Sequence, residues 1–177
     1  VSFAYYDNLS TAQQRVYRMS DGITELRVRE PRALAPHVEA LRQALASGER
    51  AALELATARL GEALCERLGV PPTTVEVLEV RPSSETGELH GLYTQTPGRR
   101  PHIQVWMRTA MHGRVVAFRT YLRTFLHELC HHLDFLLLEL PHSFHTEGFF
   151  KRESSLFHQL VPRPHTPSPR RPRPAKG

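Results

Sequence analysis

His127 and His131 stand four residues apart, with Glu128 directly after the first, inside the apolar stretch FLHELCHHLDF (125–135). Four residues make slightly more than one helical turn, so on a helix both imidazoles project from one face. Two ring nitrogens so placed can reach one metal ion at about 2.0–2.1 Å, the distance at which imidazole binds zinc. Glu128 lies beside the first of them and can face a water on the metal without binding the metal. This HExxH arrangement supplies two metal ligands and a general base. The chemistry it suits is hydrolysis at a carbonyl. Zinc brings the pKa of a bound water down to about 7, the carboxylate takes the proton, and the resulting acid passes it to a leaving amine. Such polar groups are costly to bury unpaired. Phe125, Leu126, Leu129 and Leu133 around them argue against a plain solvent-facing stripe.

A catalytic zinc takes a third protein ligand and keeps one position open. Downstream candidates are Asp134, Glu139, His142, His145, Glu147 and Glu153. Asp134 shares the helix face of His127 and suits a partner that orients a ligand better than a ligand itself. His132 projects about 100° away from His131 and reads as structural or exposed. His142 and His145 lie beyond Pro141, where the chain can turn back toward the helix. A structural zinc would instead be closed by four protein ligands, with His142 or an acid added. Glu128 would then serve no chemical purpose, and the chain would be a zinc-stabilised, non-catalytic module that binds nucleic acid or protein.

The elements that must hold these residues follow from periodicity and punctuation. Ser10 is a candidate N-cap for a short helix, and ITELRV (23–28) alternates like a short strand. Leu34, Val38, Leu41 and Leu45 recur at helical spacing as far as Ser47-Gly48. Leu53, Thr57, Leu60, Leu64 and Leu68 mark a second helix, with Gly69 at its end and Pro71-Pro72 preventing continuation. TTVEVLEV (73–80), LHGLYTQT (89–96) and HIQVWM (102–107) are strand candidates, and RPSSETGE is the loop after the first. HIQVWM is also a candidate edge strand that would pair with an extended substrate backbone. A long helix is predicted from about Val115 to Leu138, ended by Pro141, and a last one from about Gly148 to Leu160. Helices, a small meander, then helices predict an α+β domain. In it a three-stranded antiparallel or mixed sheet packs on the metal-bearing helix, preceded by N-terminal helices.

The segment 127–149, HELCHHLDFLLLELPHSFHTEGF, resembles the SprT-like (Spartan-related) zinc metalloproteases. Members of that family pair an HExxH helix with a third histidine a little over a dozen residues on, followed by a short segment ending in Phe. His145 and Phe149 stand at those places here, and a small sheet precedes the helix. The resemblance covers roughly residues 73–160. It implies a zincin-like fold and peptidase activity. It also implies that His127, His131 and His145 hold Zn²⁺, that Glu128 is the base, and that the substrate is a protein or peptide, bound to DNA for several members. Two features depart from the family. Thr146 stands where many members have Gly, and a Cys-rich zinc ribbon cannot be built from two cysteines. In small zincins with an acidic third ligand, Glu147 or Glu153 would replace His145.

The 177-residue chain is long enough for one domain with a sizeable core. Residues 1–72 read as its N-terminal helical part, 73–161 as the zincin-like core, and 162–177 as a basic, proline-rich tail. The five cations of 163–177 (Arg163, Arg170, Arg171, Arg173 and Lys176) account for the whole formal net charge of +5. Basicity therefore belongs to the tail. The tail is predicted to be disordered or polyproline-like, and suited to nonspecific contact with nucleic-acid phosphates or an acidic partner. No apolar run approaches the roughly 18 residues of a membrane span. Cys65 and Cys130 form no disulfide framework, and VSFAYYDNLS lacks the basic and apolar regions of a signal peptide. Both features predict a cytoplasmic protein.

Overall fold

Ser10 starts the first helix, α1 (Thr11–Gly22), through a reciprocal cap. The Gln13 amide donates to Ser10 Oγ at 3.3 Å and the Ser10 amide donates to Gln13 Oε1 at 2.9 Å. Each bond satisfies an N–H that the helix cannot. The computed structural model describes residues 3–84 and 87–162, so the tail expected over 163–177 lies outside the described residues. α2 (Ala35–Ser47) and α3 (Arg50–Leu68) end at Gly48 and Gly69, each with a positive φ that glycine adopts without strain. Val38, Leu41 and Leu45 of α2 meet Leu53, Leu60 and Leu64 of α3 in one core.

The strands are β1 (Thr74–Val80), a short antiparallel pair β2 (Ser83–Ser84) and β3 (Gly87–Glu88), then β4 (Gly91–Thr94) and β5 (His102–Arg108). β1 and β5 are parallel, with Val77 opposite Val105, and β4 is antiparallel to β5, with Tyr93 opposite Ile103. The order β1-β5-β4 is a mixed sheet and no meander. HIQVWM is consequently the central strand, and the expectation that it forms an edge is corrected: β1 and β4 are the edges. The burial of Ile103, Val105, Trp106 and Met107 is the physical reason, since a central strand is covered on both faces. The loop expected at RPSSETGE contains the β2–β3 pair.

α4 (Phe118–Leu136) carries the HExxH residues, and α5 (Glu147–Leu160) packs against it. α4 begins three residues later than its apolar pattern suggests. Val115 instead bridges Arg108, and the Val116 amide donates to the Met107 carbonyl at 2.8 Å, prolonging the sheet. Among the described residues the fold is α+β: five α-helices and a three-stranded mixed sheet packed against α4. Phe125, Leu126, Leu129 and Leu133 fill the buried side of α4, and each such side chain contributes about 1.5–3 kcal/mol on leaving water.

Residues 23–28 form no strand. The alternation there reflects burial of Leu26 and Val28, while the Gln159 side chain replaces a neighbouring strand. Its Oε1 accepts from the Val28 amide at 3.0 Å and its Nε2 donates to the Leu26 carbonyl at 2.7 Å. Gly148, near the start of α5, lets α1 approach. Its N–H donates to Asp21 Oδ1 at 2.9 Å, and a Cβ there would lie 2.4 Å from the Asp21 carbonyl oxygen.

Candidate metal centre

The apolar side of α4 faces the core, and on another side His127 and Glu128 line a cleft beside Gly91 of β4. After Leu136 the helix stops, Glu139 takes a left-handed conformation, and the chain returns over α4. That return brings His145 Nε2 to 3.0 Å from His127 Nε2 and 3.1 Å from His131 Nε2. The three side chains form a group that could hold a metal ion, their ligand atoms all within 4.8 Å of one another. Two nitrogens bound at tetrahedral angles stand roughly 3.3–3.4 Å apart at zinc–imidazole distances. The two separations from His145 lie within a few tenths of an ångström of that spacing, and three imidazoles so grouped suit a divalent cation. Burial, with His145 and His127 nearby, pushes His131 down to about 3. Its ring is thus neutral near pH 7, as a metal ligand must be.

Each α4 histidine has a partner behind it. His127 Nδ1 lies 3.2 Å from Glu153 Oε2, and the other Glu153 oxygen accepts from Arg123 Nη1 at 3.2 Å. Glu153, an alternative third ligand by sequence, so meets the far nitrogen of His127. His131 Nδ1 lies 2.7 Å from Ser143 Oγ, which donates to Asp134 Oδ2 at 2.7 Å. Asp134 also accepts from Arg152 Nη2 at 2.9 Å, with both side chains fully buried. Beneath the three imidazoles lies the buried ring of Phe149, its centroid 4.8–5.1 Å from each of theirs. On the outer side, the Tyr5 hydroxyl donates to the His145 carbonyl at 2.9 Å.

Thr146, directly after His145, is the N-cap of α5: its hydroxyl accepts from the Phe149 amide at 2.9 Å. The other candidates stand apart. Glu139, His142 and Glu147 are exposed, with His142 beside Phe144 and Glu147 paired to Lys151 at 2.7 Å. His132 is structural. It is fully buried, with Nε2 2.7 Å from the Pro71 carbonyl and Nδ1 3.3 Å from the Tyr93 hydroxyl. Tyr121 stands apart as well, its hydroxyl committed to Thr57 in the core at 2.9 Å.

Glu128 is buried outside the histidine group and opens onto the cleft, whose volume is about 410 Å³ and which Gly91, Arg123 and His127 also line. Burial pushes its carboxyl up to about 7, against the opposing pull of His127 and a hydrogen bond from the Tyr93 amide. Gly91 makes room for that carboxyl, since a Cβ there would lie 2.6 Å from Glu128 Oε1. No family model matches the chain, and no curated protein or solved structure matches it either.

Sequence reasoning missed Gly91, Ser143, Arg123 and Arg152. A glycine opening a β-branched or aromatic strand segment is the one local signal that could have pointed to Gly91. The other three depend on where α5 returns.

Proposed function

We propose that this chain is a zinc-dependent peptidase of the SprT-like kind. One observation carries the reading: His127, one of three histidines whose ligand nitrogens converge, and the buried Glu128 carboxyl outside that group line the same cleft. Among the described residues the group comprises three side chains, whereas a closed structural zinc takes four. The HExxH-to-His145 spacing and the sheet preceding α4 support the family resemblance.

His127, His131 and His145 would hold the ion. Bound there, Zn²⁺ would supply a Lewis acid that lowers the pKa of a water to about 7. Glu128, kept off the ion by its position against Gly91, would take the proton of the attacking water on its carboxylate and return it to the leaving amine. The Tyr93 amide, donating to the same carboxylate, would hold it in line. The free side of edge strand β4 would align an extended substrate beside Glu128 through backbone hydrogen bonds. The tail at 163–177 would add salt-sensitive contacts to nucleic-acid phosphates or an acidic partner.

Glu128→Gln tests this. Zinc content should stay at the wild-type level while cleavage of unfolded casein or of a DNA-bound protein falls about 10²–10⁴-fold. Loss of zinc in this variant would make Glu128 a ligand and overturn the assignment.

A further inference from the structure

The hydrogens around His131 can be assigned from the heavy atoms alone. The fully buried Arg152 guanidinium places its Nη2 2.9 Å from Asp134 Oδ1, and its remaining contacts are neutral: the Ser20 carbonyl and hydroxyl and the Ile23 carbonyl. A buried guanidinium needs a counter-charge, so Asp134 is a carboxylate and only accepts hydrogen bonds. The Ser143 hydroxyl has one hydrogen and gives it to Asp134 Oδ2 at 2.7 Å. Toward His131 Nδ1, also at 2.7 Å, Ser143 has only a lone pair to offer. The hydrogen in that contact therefore belongs to His131 Nδ1. A neutral imidazole carries one N–H, so His131 Nε2 is left bare, and it is Nε2 that faces His145 at 3.1 Å.

We infer that Ser143 is a positioning residue for the metal centre: anchored through Asp134 to Arg152, its hydroxyl selects the His131 tautomer whose Nε2 lone pair points at the cation. This rests on the metal-binding reading of the three histidines and adds a residue that no motif contains. His127 reaches the same state by a shorter route, because Glu153 touches its Nδ1 directly. The two α4 ligands thus differ in kind. One leans on an acid that is itself paired with the partly exposed Arg123, and the other on a neutral hydroxyl with its charge one residue further back. Ser143 also lies in the segment that carries His145 over α4, so one loop supplies the third imidazole and orders the second.

The experiment uses the full chain with ¹⁵N-labelled histidine. Long-range ¹H–¹⁵N correlation on metal-free protein near neutral pH should show His131 as the Nδ1–H tautomer. Ser143→Ala should move it toward the Nε2–H form or a mixture, and Ser143→Thr, which keeps the hydroxyl, should restore it. Zn²⁺ affinity, measured by competition with a chromophoric chelator, should fall about 10–100-fold in Ser143→Ala and return close to wild type in Ser143→Thr. An unchanged His131 tautomer in Ser143→Ala, with unchanged affinity, overturns the inference. Wild-type protein that takes up no Zn²⁺ yet shows the Ser143-dependent tautomer overturns the metal-binding reading and leaves the hydrogen assignment standing.

Discussion

Gly91 and Glu128 touch across the boundary between β4 and α4, with a Cβ at position 91 coming to 2.6 Å from Glu128 Oε1 and 2.7 Å from its Cγ. A side chain at 91 and a carboxyl in this position cannot coexist. Gly91→Ala should displace the Glu128 carboxyl or push β4 outward, at a cost of about 1–3 kcal/mol for overpacking. The expected result is a modestly lowered melting temperature, zinc content equal to that of the unchanged chain and loss of most of the proposed peptidase activity. Retained activity would show that the carboxyl can work from another position.

Glu153→Ala removes the acceptor behind His127 and the partner of Arg123. Zn²⁺ affinity should drop about 10–100-fold, as is usual when the group orienting a histidine ligand is lost. Equilibrium dialysis separates this from an inner-shell role, which would abolish binding altogether.

Arg152 ties three elements together: Asp134 of α4, the carbonyls of Ser20 and Ile23 at the end of α1, and α5 itself. Arg152→Met leaves Asp134 as a buried, uncompensated charge and should lower stability by about 3–5 kcal/mol in urea titration. Pairing it with Asp134→Leu should recover part of that loss, because an apolar pair carries no desolvation cost. A single variant as stable as wild type would mean that water reaches this site.

Burial pushes the Cys65 thiol up to about 11, from an ordinary value of 9.0. The folded state holds this proton more tightly than the unfolded state. The stability it contributes is therefore complete below about pH 9 and disappears as pH rises through about 11, a loss of roughly 2–3 kcal/mol. Tyr121, also raised by burial, adds to the fall at higher pH. Urea midpoints compared near neutral pH and at about pH 10.5 should show the decline, with a flatter slope in Cys65→Ala. Equal slopes in both proteins would remove Cys65 as the cause.

The Ser10 cap made α1 legible, apolar periodicity made α2 to α5 so, and β-branched or aromatic runs bounded by turn residues did the same for the three strands of the mixed sheet, but not for β2 and β3. The pairing order of the strands was not legible. β1 meets β5 across the whole of β2–β4, a choice made by packing against α4 and α3 and not by any local pattern. Alternation at 23–28 reported burial of Leu26 and Val28 faithfully but had no means of showing that Gln159 stands in for a neighbouring strand. At the site, the placement of His127 and His131 on one face needed only the helical repeat. The choice of His145 over His142 came from family resemblance, since both lie past Pro141. Asp134 was identified as a partner of the ligands, but the hydroxyl through which it acts belongs to a loop residue, Ser143, with no distinguishing context in the sequence.

The bond from the Tyr5 hydroxyl to the His145 carbonyl makes residues near the chain's start and the third imidazole thermodynamically linked. Linkage is reciprocal. Docking of Tyr5 must favour a cation at His145 by the same factor by which that cation disfavours the opened state of the segment around Tyr5. Amide hydrogen exchange of that segment, some 140 positions away in sequence, would therefore report occupancy of the histidine group without any substrate being present.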